Sequence, residues 1–249
     1  MLPTRCILVA ALNIALVACT DSGRSVPTTS AVETLADEYL ATWMEQDALM
    51  GTYYSIEGAR HDRLPDNSLA GLAAWQQKED AWLAQLESIA VSPDIGSRDW
   101  VTFGLLKEEL KSAVALRLCR SELWGASTTT SWHTWLPFVF DIQPLETPQL
   151  RAQALSRLEA LPNFIDNEIA NLREGLRLGY SAPRVTVEAV PHQVRSLLGP
   201  ESIFLGPGQR VDDAAFTDAV NAIYVNQICD LSIFIHIRHI AIVMFMLDF

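Results

Sequence analysis

Apolar residues return every three or four positions through most of this chain, and only an α-helix gathers that spacing onto one face. The first set is Val32, Leu35, Ala36, Tyr39, Leu40, Trp43 and Met44, with Ser30 and Glu33 ahead of it as a capping-box pair. A second face, Leu72, Trp75, Trp82, Leu83, Leu86 and Ile89, follows Ser68 as its N-cap. Within "DWVTFGLLKEELKSAVALRLC" a third is formed by Leu105, Leu106, Leu110, Val114 and Leu118. Thr147-Pro148 opens a fourth, carrying Leu150, Ala154, Leu155 and Leu158, with proline at the first helical position, where its missing N–H is harmless. Pro162 is expected to start a separate helix bearing Ile165, Ile169, Leu172 and Leu176, with Arg173 and Arg177 in its last turns and Gly179 as the stop. Another helix from Ser181-Pro183 carries Val187, Val190, Val194 and Leu197, and Pro191 is expected to kink it. Phe216, Val220, Ile223 and Tyr224 mark the last. No strand-turn-strand signal interrupts this pattern before residue 228. The expected fold is all-α, a multi-helix array or bundle over residues 30–227.

The two ends read differently. Residues 1–18 hold one positive charge, Arg5, and an apolar run from Cys6 to Ala18 that is short for a membrane span, as in a secretory signal peptide. Leu16-Val17-Ala18-Cys19 resembles a bacterial lipobox, which implies lipidation of Cys19 and a polar tether over residues 19–29. Each buried methylene of an acyl chain adds about 0.8 kcal/mol, so a multiply acylated cysteine anchors its chain durably. Thr20 after the cysteine implies sorting to an outer membrane. The expected location is the cell envelope, as an outer-membrane lipoprotein facing the periplasm, with the membrane as partner through its anchor. Residues 228–249 form an atypical apolar tail, in which Ile233, Ile235 and Ile237 alternate as in a strand. Its character differs from all that precedes it, which suggests a frameshift or a premature end. Cys119 and Cys229 are free to pair in an oxidising compartment, a question their spacing leaves open.

The formal net charge is −12, and no basic stripe offers contacts to phosphates, so nucleic acid is not an expected partner. His236 and His239 lie three apart near Asp230, but a strand would turn the two rings to opposite faces, so no metal site is assigned to them. The five histidines are followed by Asp62, Thr134, Gln193, Ile237 and Ile240, so a helical His-Glu zinc motif is absent. "SWHTWLPFVFD", residues 131–141, reads as core rather than as a ligand wall, because its tryptophans and phenylalanines supply much burial. Glu108 and Glu109 read as a solvated helix face.

Two blocks carry more information. "GARHDRLPDNS" at 58–68 crowds Arg60, His61, Asp62, Arg63 and Asp66 together. "LPNFIDNEIANLREGLRLGYSAPRVTVE" at 161–188 contains Leu172-Arg173-Glu174-Gly175, Gly179-Tyr180 and Ala182-Pro183-Arg184. In this order they resemble the bacterial domain-of-unknown-function 885 family, from about Ser30 to about Tyr224. The resemblance implies a largely helical protein, often lipid-anchored, of the gluzincin zinc-metallopeptidase type, with a peptide as substrate. It makes Arg60, His61, Asp62 and Arg63 candidate contacts of a cleft. The plainer reading of that segment is a charged turn between helices, with Arg–Asp pairs of little worth in water. The family's His-Glu-x-x-Pro-Gly-His metal motif lies downstream of these blocks and is not in this chain. The expectation is therefore a truncated N-terminal portion of such a lipoprotein, without catalytic or metal residues and without a cofactor as written, zinc being implied only for full-length relatives. The alternative is a non-catalytic envelope lipoprotein that keeps the helical scaffold as a binding or structural module.

Overall fold

The computed structural model describes residues 29–90 and 94–228. The expected signal peptide, Cys19, and the expected tail beyond Ile228, with Cys229, His236 and His239, lie outside the described residues. No strand occurs among the described residues, and the protein is an all-α multi-helix array.

Four helices make the N-terminal part. α1 is Ala31–Gln46, α2 is Ala48–Tyr53, α3 is Leu69–Ser88 and α4 is Arg98–Leu116. Side chains cap each start. Ser30 Oγ accepts the Glu33 N–H at 3.1 Å and donates to Asp99 at 2.8 Å, which ties the start of α1 to the start of α4. Ser68 accepts from the Gly71 N–H at 3.0 Å and so starts α3 as its sequence foretold. Helices α1, α3 and α4 close over Leu35, Trp82, Leu86, Leu106 and Leu110, with Tyr39 edge-on to Trp82 at 5.3 Å. Three members of the expected third face are not in this core, and of these Val114 is half-buried. Leu105 and Leu118 are exposed, because Leu105 adjoins the buried Leu106 about 100° round the helix and Leu118 falls in a 3₁₀ turn beyond the end of α4.

The larger core lies around α5 (Trp132–Asp141) and α6 (Pro148–Arg177). Leu136, Val139 and Phe140 of α5 meet Leu158, Leu161 and Ile165 of α6 there, with Phe204 edge-on to Phe140 at 5.3 Å. α7 (Arg184–Val187), α8 (Val190–Ser196), α9 (Gly206–Gln209) and α10 (Ala214–Ile223) close the array, and α10 runs on as a π-helical turn over Tyr224–Ile228.

Pro162 does not start a helix. Thr147 caps and Pro148 opens a single helix of 30 residues, with Pro162 inside it. Proline removes one backbone hydrogen bond. The buried Leu158 and Leu161 before it and Phe164 and Ile165 after it belong to one core, which holds the helix continuous. The second departure is at Pro191, which opens α8 rather than kinking a longer helix; Val187, Val190 and Val194 are buried as expected. Gly179 does end α6, with φ +85°, and the Tyr180 N–H returns to the Gly175 carbonyl at 2.8 Å. Gly175 has a separate reason to be glycine. The Leu123 carbonyl oxygen of the 3₁₀ turn Ser121–Leu123 would lie 1.9 Å from a Cβ placed there. That contact sets the turn and the loop after it directly on α6.

Candidate functional site

The crowded segment between α2 and α3 is a strap across α6, held by one buried arginine. Arg157 is fully buried. Its Nη1 donates to Thr52 Oγ1 at 2.9 Å and to Gln143 Oε1 at 2.5 Å, its Nη2 to the Ala48 carbonyl at 3.2 Å, and its Nε to the Arg63 carbonyl at 3.1 Å. Burial pulls its guanidinium down to about 10, and the charges of Asp62 and Asp47 oppose that; it remains a cation at neutral pH.

The four candidate residues divide by direction. His61 is buried, with its N–H donating to Gln153 Oε1 at 3.0 Å and its carbonyl accepting from Gln143 Nε2 at 2.8 Å. Its Nδ1 lies 2.8 Å from Thr52 Oγ1. Burial, and then the nearby Arg157 cation, lower its pKa and keep the ring neutral. Arg60, Asp62 and Arg63 turn outward as an ion-pair ladder that Arg63 extends to Glu45 at 2.9 Å. Burial raises the Asp62 carboxyl, but Arg60 and Arg63 outweigh it and hold the group below the usual carboxylate range.

A cavity of about 600 Å³ opens further along α6. Arg60, His61, Asp62 and Arg63 are not in its lining. Phe164, Glu168, Asn171 and Leu172 present one face of α6 to it, at the spacing of successive helical turns. Trp132, His133 and Trp135 come from α5, Trp124 to Ser127 from the loop seated on Gly175, and Pro183, Val190 and Val194 from the α7–α8 region. Residues 131–141 thus serve twice, with Leu136 and Phe140 in the core and the two tryptophans on the cavity.

Asn67, where the strap ends, supplies the polar floor. Its Nδ2 donates to the Phe164 carbonyl at 2.9 Å and to Glu168 Oε1 at 2.7 Å, and its own carbonyl accepts from Asn171 Nδ2 at 2.8 Å. Burial raises the Glu168 carboxyl, and the Asn67 bond opposes it. On the opposite wall, His133 Nε2 lies 3.0 Å from Gln193 Oε1. The Gln193 amide nitrogen donates to the Thr128 carbonyl at 3.1 Å, so its oxygen faces the ring and His133 carries its proton on Nε2. Burial lowers the His133 pKa, although Gln193 opposes the shift.

Size, aromatic walls and a few fixed polar groups suit this cavity to a small organic ligand or a peptide side chain. It does not suit zinc. That ion needs three or four converging donors, and among the described residues no three His, Cys, Asp or Glu side chains are so grouped. Both described inward-facing imidazoles, His61 and His133, are instead hydrogen-bonded to neutral side chains.

Sequence reasoning passed over Arg157, Asn67, Glu168 and Asn171. A signal existed for three of them: Arg157, Glu168 and Asn171 occupy the same three-and-four series as Ala154, Leu158, Leu161 and Ile165. A polar residue inside an apolar stripe has to find partners in the interior. No curated protein matches the chain. A family model described as a bacterial protein of unknown function, DUF885, matches residues 46–230 and takes in the strap, the whole of α6 and the described lining of the cavity. The chain belongs to that family.

Proposed function

We propose that the helical domain over residues 30–227 is the peptide-holding part of a metallopeptidase-like lipoprotein of the cell envelope, anchored through Cys19. The observation that carries this reading is the aromatic cavity on α6, which has the volume for a large side chain and polar groups fixed by the core beneath it. Its supporting frame is inherited from the family blocks themselves: Gly175 of Leu172-Arg173-Glu174-Gly175 seats the loop that carries Trp124. The lipobox-like Leu16-Val17-Ala18-Cys19 supports the anchor. Holding substrate is the role given to this chain. The residues present do not fit a zinc site, and no hydrolytic step is drawn through that metal.

The test is calorimetric titration of the full chain with the capped neutral peptide acetyl-Ala-Ala-Phe-Ala-Ala-amide. Binding is expected in the wild type and not in Thr130→Phe, which fills the cavity from an exposed position on its rim. Equal binding by both proteins, or by neither, rejects the cavity as a site for a neutral peptide side chain. Labelled palmitate incorporated by the wild type and not by Cys19→Ala would support the anchor, and equal labelling would remove it.

A further inference from the structure

The charges around the cavity are lopsided. Its lining contains two carboxylates, Glu122 and Glu168, and neither a lysine nor an arginine. Glu122 is neutralised from outside by Arg120, whose Nε donates to it at 2.7 Å. Glu168 has no such partner among the described residues: its contact is the neutral Asn67 amide at 2.7 Å. A carboxylate offers about four acceptor sites on its two oxygens, and one amide N–H leaves most of that capacity available.

The apolar walls point the same way. Trp124, Trp132 and Trp135 line the cavity, and indole is the strongest of the aromatic side chains in attracting a cation to its face. The Trp124 N–H already donates to the Cys119 carbonyl at 2.7 Å, so this ring has its face, not its donor, to offer. An anionic ligand would meet a carboxylate with no counter-charge. A neutral ligand would leave Glu168 as it is. Only a cation both pairs with Glu168 and gains from the indoles. The net charge of −12 adds attraction at longer range.

We infer that the cavity is a site for an organic cation with an apolar body, its ammonium group at Glu168 and its body among the tryptophans. In a peptide, this chemistry belongs to the free amino terminus or to a lysine side chain. The inference rests on the proposed binding role of the cavity and narrows it.

The full chain is titrated with 2-phenylethylammonium and with 2-phenylethanol, which share one apolar body and differ in charge. The ammonium should bind tighter by about tenfold, as a charge-assisted contact gives. The preference should fall towards unity in Glu168→Gln, which keeps the oxygen that Asn67 donates to; unchanged circular dichroism checks that variant. The wild-type pair decides the matter even if the variant does not fold. Equal affinity for the two probes, no binding of either, or a preference that survives Glu168→Gln overturns the inference. Binding of the ammonium without any binding of the capped neutral peptide leaves the cation site standing and shows that no neutral side chain is held there. Two further peptides separate the sources: Phe-Ala-Ala-amide tests the amino terminus, and acetyl-Phe-Lys-amide tests the lysine side chain.

Discussion

The layer made by α1, α3 and α4 and the region built on α5 and α6 are both helical, yet the second buries far more of its polar side chains than the first. In the first, most charge stays at the rim, where Lys111 pairs with Glu87 at 3.2 Å and Arg117 with Asp80 at 2.7 Å. The buried Glu79 is held by Arg117 at 2.8 Å and the Trp75 N–H at 2.7 Å beside a core of Leu, Trp and Phe. The layer also leaves Leu105 and Leu116 exposed. In the second, Arg157, Asn67, Asn171 and His133 are buried and bonded. Apolar packing alone brings helices together but tolerates many arrangements. A buried polar group accepts one arrangement and penalises the rest. The cavity lies in the region that uses the second device.

Breaking that device should have the largest effect. Arg157→Leu leaves the Thr52, Gln143, Ala48 and Arg63 acceptors without their shared donor. Each buried group left unmade costs about 1–3 kcal/mol, and with partial relaxation the variant should lose about 3–5 kcal/mol. Lys111→Ala in the other layer should change stability by less than about 0.5 kcal/mol, as exposed pairs do. Urea denaturation of both variants measures the contrast, and equal losses would erase it.

A smaller effect is expected at the seat of the cavity loop. Gly175→Ala drives a methyl group into the Leu123 carbonyl, and overpacking of this kind costs about 1–3 kcal/mol. Ligand affinity should fall along with stability, because Trp124 and Gly125 move with that turn. Normal affinity in a destabilised protein would show that the loop is placed by something else.

The smallest effect concerns pH. His61 and His133 have lowered pKa values, chiefly through burial, so the folded state resists their protonation. Their contribution to stability is complete above the unfolded imidazole value of about 6.5 and is lost as pH falls through it. The raised carboxyls of Asp47 and Glu168 act in the opposite sense, contributing more as pH falls. Between pH 7.5 and 5.5 the double variant His61→Gln, His133→Gln should therefore show a flatter stability profile than the wild type. An identical slope would mean that neither ring is held neutral by the fold.

The helices and their caps were legible because they are local. Ser30, Ser68 and Thr147 each accept a bond three residues on, and such spacing is visible in the sequence. The start expected at Pro162 failed because long-range packing of Phe164 and Leu158 outweighs the one bond that proline removes. The site was harder for the same reason. Nothing near residue 67 says that it meets residues 164, 168 and 171, and nothing near Gly175 names Leu123 as its neighbour. The charged segment 58–68 drew attention by its composition, but its charged side chains Arg60, Asp62 and Arg63 face out, while its one imidazole and its backbone carbonyls carry the contacts inward.

The strap also has a consequence in time. Thr52 and Arg157 are 105 positions apart, and Asn67 and Asn171 are 104 apart. In a chain delivered from its N-terminus, α1 and α3 are complete before α6 arrives, so residues 48–67 wait for their partners. Contacts that close such long loops form late compared with helices. During that interval the polar segment over 58–68 keeps the unlatched strap in water, so the same charges that look outward in the finished protein protect it while it is unfinished.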